Sequence, residues 1–280
     1  MCLPGTVESV RDASERGEVP RLSRRAALAG GGAAAIAALL PAETIAHKSR
    51  RRRRSGKIAD LTHVFRAGFP VYVGDAPRRR TLKRFDPDGF YSQEWTFGEH
   101  SGTHMDAPGH FVEGLRLVPE LTPRELFAPI AVIDISRRAA NDPDAAVEEA
   151  DIRRYERRHG KIPRGTAVLM NSGWSDKASD ETAAKNVGPD GKYHFPGFGA
   201  DAVDLLIKRK AGAIGVDTMS LDPGTSTTFD AHLKWLGTDR YGLENVANLH
   251  KIPAHGATLI VGVIPWEEGS GGPCRLLARY

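Results

Sequence analysis

The sequence predicts a mixed α/β (α+β), strand-rich body. Three observations predict it: short apolar runs of strand length alternate with turn residues from residue 58 onward, strands outnumber helices, and one helix-to-strand unit stands out. The chain has 280 residues, of which 40% are hydrophobic and 26% charged, enough for one sizeable core. This composition excludes collagen-like, coiled-coil and wholly disordered classes.

The elements follow in order. Ile58 to His63 reads as a short strand, and Phe69 to Asp75 as an extended segment ending in a turn. Ala128 to Ser136, rich in β-branched residues, reads as a buried strand. Asp151 to His159 reads as a helix with Asp151 as N-cap, and Ala167 to Asn171 as a strand. Polar residues with Gly and Pro make 175–198 a long loop near a site. Ala200 to Lys210 is helical, Ala213 to Asp217 is the strand after it, and Ala257 to Ile264 is another. No internal repeat is found.

Three segments are expected: residues 1–46, 47–57 and 58–280. The first holds Arg24-Arg25, then an uncharged run from Ala26 to Leu40, then Pro41 and the small residues Thr44 and Ala46. Fifteen residues span about 22 Å as a helix, short of the ~30 Å hydrocarbon core. The order therefore predicts a twin-arginine export signal rather than a stable membrane anchor, and an exported, periplasmic or extracellular protein. The second segment, with Lys48, Arg50 to Arg54 and Lys57, carries a charge of +7 and reads as a flexible basic linker. The third carries 27 basic and 30 acidic residues, so the net charge of +4 says nothing for a nucleic-acid-binding body. Only Cys2 and Cys274 are present, too few for a disulfide framework or a cysteine-type zinc site.

The chemistry concentrates in His100-Ser-Gly-Thr-His104-Met-Asp106-Ala-Pro-Gly-His110. Gly102, Pro108 and Gly109 oppose a helix. On a strand, His100, Gly102, His104 and Asp106 share one face, with Gly102 leaving room for an ion. Two imidazoles and a carboxylate on one face form a metal half-site, Pro108 ends the strand, and His110 turns back over the site. A partner ligand must come from elsewhere; the candidates are His194, His232, Glu244, His250 and His255, of which His232 and Glu244 flank one turn. His63 and His159 read as a strand-end and a surface helix residue, and His250 and His255 as ordinary structural or surface residues. Tyr72, Phe85, Phe90, Tyr91, Trp95 and Trp174 are candidate walls of an apolar slot.

The run His100-Ser-Gly-Thr-His104-x-Asp106-x-Pro108-x-His110-Phe111 resembles the marker of the cyclase family of metal-dependent hydrolases, which includes bacterial kynurenine formamidases and isatin hydrolases. Ala231-His232 with Glu244-Asn245, Ile58 to His63, Pro70 to Asp75, Asn171-Ser-Gly-Trp174 and Gly215-Val-Asp217-Thr-Met-Ser220 are further matches, and the resemblance covers roughly residues 57 to 270. It implies a swivelling β/β/α single domain that forms homodimers or higher oligomers and uses zinc or manganese, one or two ions per subunit. It implies that His100 and His104 bind one metal, that His232 binds the second, that Asp106 and Glu244 bridge them, and that His110 carries the proton. Tyr72 falls where formamidases place a Trp beside the substrate. The expected reaction is hydrolysis of an amide bond in a small aromatic or cyclic substrate, an isatin-like lactam or an aryl formamide. The alternatives are an arylformamidase acting on N-formylkynurenine and a metal-binding member without catalysis. Divalent cations suit such a reaction because they lower the pKa of bound water toward ~7.

Overall fold

The structure is a computed structural model and describes residues 56–280. The export signal and nearly all of the basic linker expected from the sequence lie outside the described residues. No described helix is long and apolar enough to cross a membrane.

The described chain divides into two units, residues 79–94 and residues 56–78 with 95–280. The smaller unit lies within a two-stranded sheet of β2 (Arg78–Lys83) and β3 (Ser92–Thr96), where Arg80 donates two hydrogen bonds to Glu94, at 3.0 and 2.7 Å.

The larger unit is built on β1 (Ile58–Asp60), β4 (His104–Asp106), β5 (Phe127–Asp134), β7 (Ala167–Asn171), β9 (Ala213–Val216), β10 (Gly242–Glu244), β11 (His255–Val263) and β12 (Gly271–Arg279). Their order is β1-β12-β11-β5-β7-β9-β10-β4, and β4 pairs again with β12, so seven strands close into a barrel and β1 is appended. The closure is possible because β12 is long. Its first residues, Gly271 to Pro273, pair with β4, while its last, Leu277 to Arg279, pair on that same side with β1. β5, β7, β9 and β10 run parallel, and the rest are antiparallel. Two further short strands, β6 (Ala146–Val147) and β8 (Gly197–Phe198), pair separately.

Alternation along the strands sorts the core into two layers. Ile130, Val132, Ala167, Leu169, Leu243, Leu259 and Leu276 meet Met105 in one cluster, the barrel interior. Their alternates Ala131, Ile133, Val168, Met170, Ile214 and Val216 face the other way, onto helices. These helices are α1 (Glu149–His159), α2 (Ala200–Arg209) and α3 (Asp230–Leu236). Ile152, Val203, Leu206, Trp235 and Leu236 form their apolar faces. Gly215 is confined by the barrel: a Cβ there would lie 2.8 Å from Leu169 and 3.0 Å from Leu243.

Most expected elements stand where the sequence put them, with four corrections. The cap of α1 is Glu148, and Asp151 sits three residues later, where its carboxylate accepts the Glu148 N–H at 3.0 Å and pairs with Arg138 and Arg154. The strand expected from Ile58 to His63 stops at Asp60. The loop expected over 175–198 contains a short helix, Glu181–Lys185, capped by Asp180, and ends in β8. The strand expected to run from His100 covers only His104–Asp106, because Gly102 adopts φ +67° and interrupts the extended backbone.

Candidate active site

The carboxyl end of β10 lies beside β4, with β9 on its other side, and the side chains singled out in the sequence converge there. β4 is paired on both sides, Glu244 opposite His104 and Gly271 opposite Asp106. His104, Asp106, His232 and Glu244 are all buried. Thr103 locks the approach: its hydroxyl accepts the His63 N–H at 2.9 Å and donates to the Asn245 carbonyl at 2.7 Å.

Each imidazole is oriented by a partner on its outer nitrogen. His104 Nδ1 meets the Gly102 carbonyl at 2.9 Å, which fixes a proton there and turns Nε2 inward. That Nε2 lies 3.3 Å from Asp106 Oδ1 and 3.4 Å from Glu244 Oε2. His232 Nδ1 donates to Asp222 Oδ2 at 2.6 Å, leaving Nε2 3.1 Å from Glu244 Oε1 and 3.7 Å from Asp106 Oδ2. Glu244 Oε1 also accepts the Leu221 N–H at 2.9 Å. Gly102 therefore contributes its carbonyl rather than empty space for an ion: a Cβ there would strike the Phe65 ring at 2.7 Å.

The electrostatics call for a cation. Two carboxylates are buried together, a costly arrangement unless positive charge is shared between them. Burial opposes ionisation of Asp106, but His104, His100 and His232 outweigh it and hold its pKa well below the usual range. Glu244 is raised by burial and by Asp106. Burial also disfavours the His104 imidazolium, yet Asp106 and Glu244 push its pKa up to about 9. His104 Nε2 and Asp106 Oδ2 are buried without a hydrogen-bond partner. Unsatisfied nitrogen and oxygen donors facing one another are what a divalent ion of borderline or hard character takes up, so this residue set fits a metal.

Two ligand-type groups share Asp106: His104, Asp106 and Glu244 form one, and His100, Asp106 and His110 the other. His100 Nδ1 is 2.7 Å from Asp106 Oδ1 and Nε2 is 3.0 Å from the Ser270 hydroxyl, which donates to Glu99 at 2.6 Å. Its ring fits because residue 271 is Gly; a Cβ there would lie 2.5 Å from His100 Cε1. His110 ends the 3-10 turn Pro108–His110 and stacks on His100 with ring centroids 3.7 Å apart. Burial lowers the His110 pKa to about 4, so the free imidazole is neutral at pH 7.

These groups open into a cavity of about 240 Å³. Tyr72, Phe111, Phe229, Met219, Val71 and Val73 supply its apolar wall. Phe111 stacks on His232 at 4.4 Å, and Tyr72 packs edge-on to Phe229 at 5.9 Å. Of the six aromatic residues proposed as walls, Tyr72 alone lines it. Phe85 and Tyr91 stack on each other in the smaller unit, and Trp174 is a core residue whose indole N–H donates to the Ala184 carbonyl. Phe229 and Met219 are wall residues that sequence reasoning missed, as is the orienting Asp222; neither spacing nor composition marks them. His194 pairs with Asp144 and Asp190 away from the site, and His250 and His255 are exposed.

Comparison with known proteins agrees with this geometry. The profile of the Cyclase family, described as "Putative cyclase", matches residues 59–223. Isatin hydrolase of Roseibium aggregatum is 37% identical over 240 residues, which is 79% of this chain and 91% of that protein. A kynurenine formamidase of Erythrobacter litoralis is 26% identical over 225 residues, 80% of this chain and 94% of that protein. Isatin hydrolase A from Labrenzia aggregata, solved with benzyl benzoate, superposes with a TM-score of 0.76 at 31% identity, covering 80% of this chain and 94% of that one. The matched profile, the shared length and the common fold together make this chain a member of the Cyclase family.

Proposed function

We propose that the protein is a metal-dependent hydrolase that opens a C–N amide bond in a small, flat substrate, an isatin-like lactam in the first instance. The observation that carries this reading is the pair of orphaned donors, His104 Nε2 and Asp106 Oδ2, facing Glu244 at the floor of an aromatic-walled slot that also holds His110. The 37% identity to an isatin hydrolase supports the lactam over other amides.

His104, Asp106, His232 and Glu244, with His100, would hold one or two ions of zinc or manganese. A divalent cation bound there supplies an electrophile for the carbonyl and makes water acidic enough to attack at neutral pH. Asp106 and Glu244 bring the balancing negative charge, and the Gly102 carbonyl and Asp222 hold a proton on each outer nitrogen, so that the inward nitrogens are the ones an ion would take up in exchange for a proton. His110, neutral at pH 7, accepts the proton of the attacking water and returns it to the departing nitrogen. Phe111, Phe229 and Tyr72 take the flat ring of the substrate and keep bulk water from the reacting carbonyl. A homodimer or higher oligomer, exported through Arg24-Arg25, completes the reading.

The test is elemental analysis of the purified protein followed by assay on isatin and on N-formylkynurenine. Chelation is expected to abolish isatin hydrolysis and added Zn²⁺ or Mn²⁺ to restore it. Turnover that survives complete removal of metal overturns the reading, and a higher kcat/KM on N-formylkynurenine moves the protein to the formamidase alternative.

A further inference from the structure

The parallel strands have a second end. Where β5, β7, β9 and β10 begin, the segments leading into them enclose a cavity of about 860 Å³. It opens at the amino ends of strands whose carboxyl ends carry the metal-type cluster; β7 has five residues, so about 16 Å of strand separates the two.

Four cations line this cavity, Arg124, Arg164, Lys210 and Arg240, against one carboxylate, Glu125. Glu125 is already engaged: Arg116 donates to both its oxygens at 3.1 and 3.0 Å, and Thr122 donates through its N–H and hydroxyl. None of the four cationic side chains has an ion-pair or hydrogen-bond partner among the described residues. The Arg240 guanidinium lies 5.4 Å over the Trp235 ring, and its Nη1 is buried with no acceptor. Burial, and after it the charge of Arg164, lower the Arg240 pKa, and no counterion offsets them.

The arrangement is also rigid. Gly165 N–H donates to the Lys210 carbonyl and Gly212 N–H to the Thr166 carbonyl, both at 2.8 Å, so the turns carrying Arg164 and Lys210 are tied together by backbone. A Cβ at Gly212 would lie 2.7 Å from the Gly165 carbonyl oxygen, so these backbones touch. Beside the cations Phe127 presents its ring to solvent, 58% exposed although it begins a barrel strand. Four positive charges without a counterion around one concavity raise its local potential, and an anion residing among them lowers it.

We infer that this cavity binds a small organic anion in which a carboxylate or phosphate group is joined to an apolar body. Arg164 and Arg240 bind the oxyanion through their guanidinium groups, Lys210 and Arg124 add charge, and Phe127 packs the apolar body.

The experiment is calorimetric titration of the metal-loaded full-length protein, at fixed ionic strength, with phenyl phosphate, benzoate and inorganic phosphate. Phenyl phosphate or benzoate is expected to bind more tightly than inorganic phosphate, and the tighter of the two identifies the oxyanion. The double variant Arg164→Gln/Arg240→Gln is expected to weaken that binding about 10–100-fold while leaving kcat/KM on isatin unchanged. Phe127→Ala should weaken phenyl phosphate and leave inorganic phosphate unaffected. If the double variant does not fold, Arg164→Gln alone, on an exposed turn, carries the comparison. Equal affinity in wild type and variant, or no heat from any probe at millimolar concentration, overturns the inference. So does dissociation of an oligomer by the double variant in size-exclusion chromatography, since the cavity would then be closed by a second copy of the chain.

Discussion

Replacing Asp222 by Asn tests whether the tautomer of His232 is set from outside the cluster. Asp222 is buried, and its carboxylate serves three donors: Oδ2 takes His232 Nδ1 at 2.6 Å and His232 N at 3.1 Å, and Oδ1 takes Ala231 N at 2.7 Å. It therefore holds the first turn of α3 and the ring of His232 at once. Asn keeps the shape but puts an NH₂ group where one acceptor stood. If its oxygen stays on Ala231, the amide faces two donors, and two hydrogen bonds to a charged group are lost, at ~1.5–3 kcal/mol each. The imidazole recovers part of this by moving its proton to Nε2 and accepting from the amide. The net loss of stability is about 2–4 kcal/mol, measurable by urea unfolding in the presence of chelator. The proton then sits on the nitrogen that faces Glu244 and Asp106, so the affinity for zinc should fall about 10–100-fold in competition with a chromophoric chelator. A variant that loses stability yet binds zinc as tightly as wild type would refute the tautomer argument and leave Asp222 as a helix anchor only.

His110→Ala is expected to retain metal by elemental analysis and to lose ~10²–10⁴ in kcat; loss of the metal instead would make His110 a ligand. Gly102→Ala forces a side chain onto a backbone at φ +67° and against Phe65, and should cost about 2–4 kcal/mol in urea unfolding, with part of the loss recovered in a Phe65→Ala background. Glu125 is held down to about 2 mainly by hydrogen bonds from Arg116 and, more weakly, by Thr122. Its folded pKa is depressed, so its contribution is complete above about 4.5 and disappears as the pH falls through about 2. Glu125→Gln should therefore be less stable than wild type by ~1 kcal/mol at pH 7, a figure reduced for its partial exposure, and the two stabilities should converge as the pH falls to about 2.

The legible parts of the fold were those where burial shapes composition. β5, β7 and β9 are enclosed by barrel interior on one side and helices on the other, so their residues are apolar on both faces and the runs stand out. β12 escaped notice because it opens with Gly-Gly-Pro and places Arg275 and Arg279 on its outer positions, so the alternation of Cys274, Leu276 and Ala278 is diluted. β2, with the sequence Arg-Arg-Arg-Thr-Leu-Lys, has no buried residue to announce it. At the site, the histidines and carboxylates that converge were named in advance because their types are rare and their spacing is tight. Asp222 and Phe229 were not, since what brings them to the cluster is the path from β9 to α3, which no local pattern encodes. Gly102 was singled out correctly, but for a reason the backbone does not bear out.

β4 closes the barrel between β10 and β12, so His104 and Asp106 have their neighbours only after Gly242 to Glu244 and Gly271 to Pro273 have docked on either side. An incomplete chain still on the ribosome lacks one or both of those flanks and has no pocket in which to retain an ion. In the proposed metalloenzyme, an ion therefore enters after the barrel has closed and does not serve as its template.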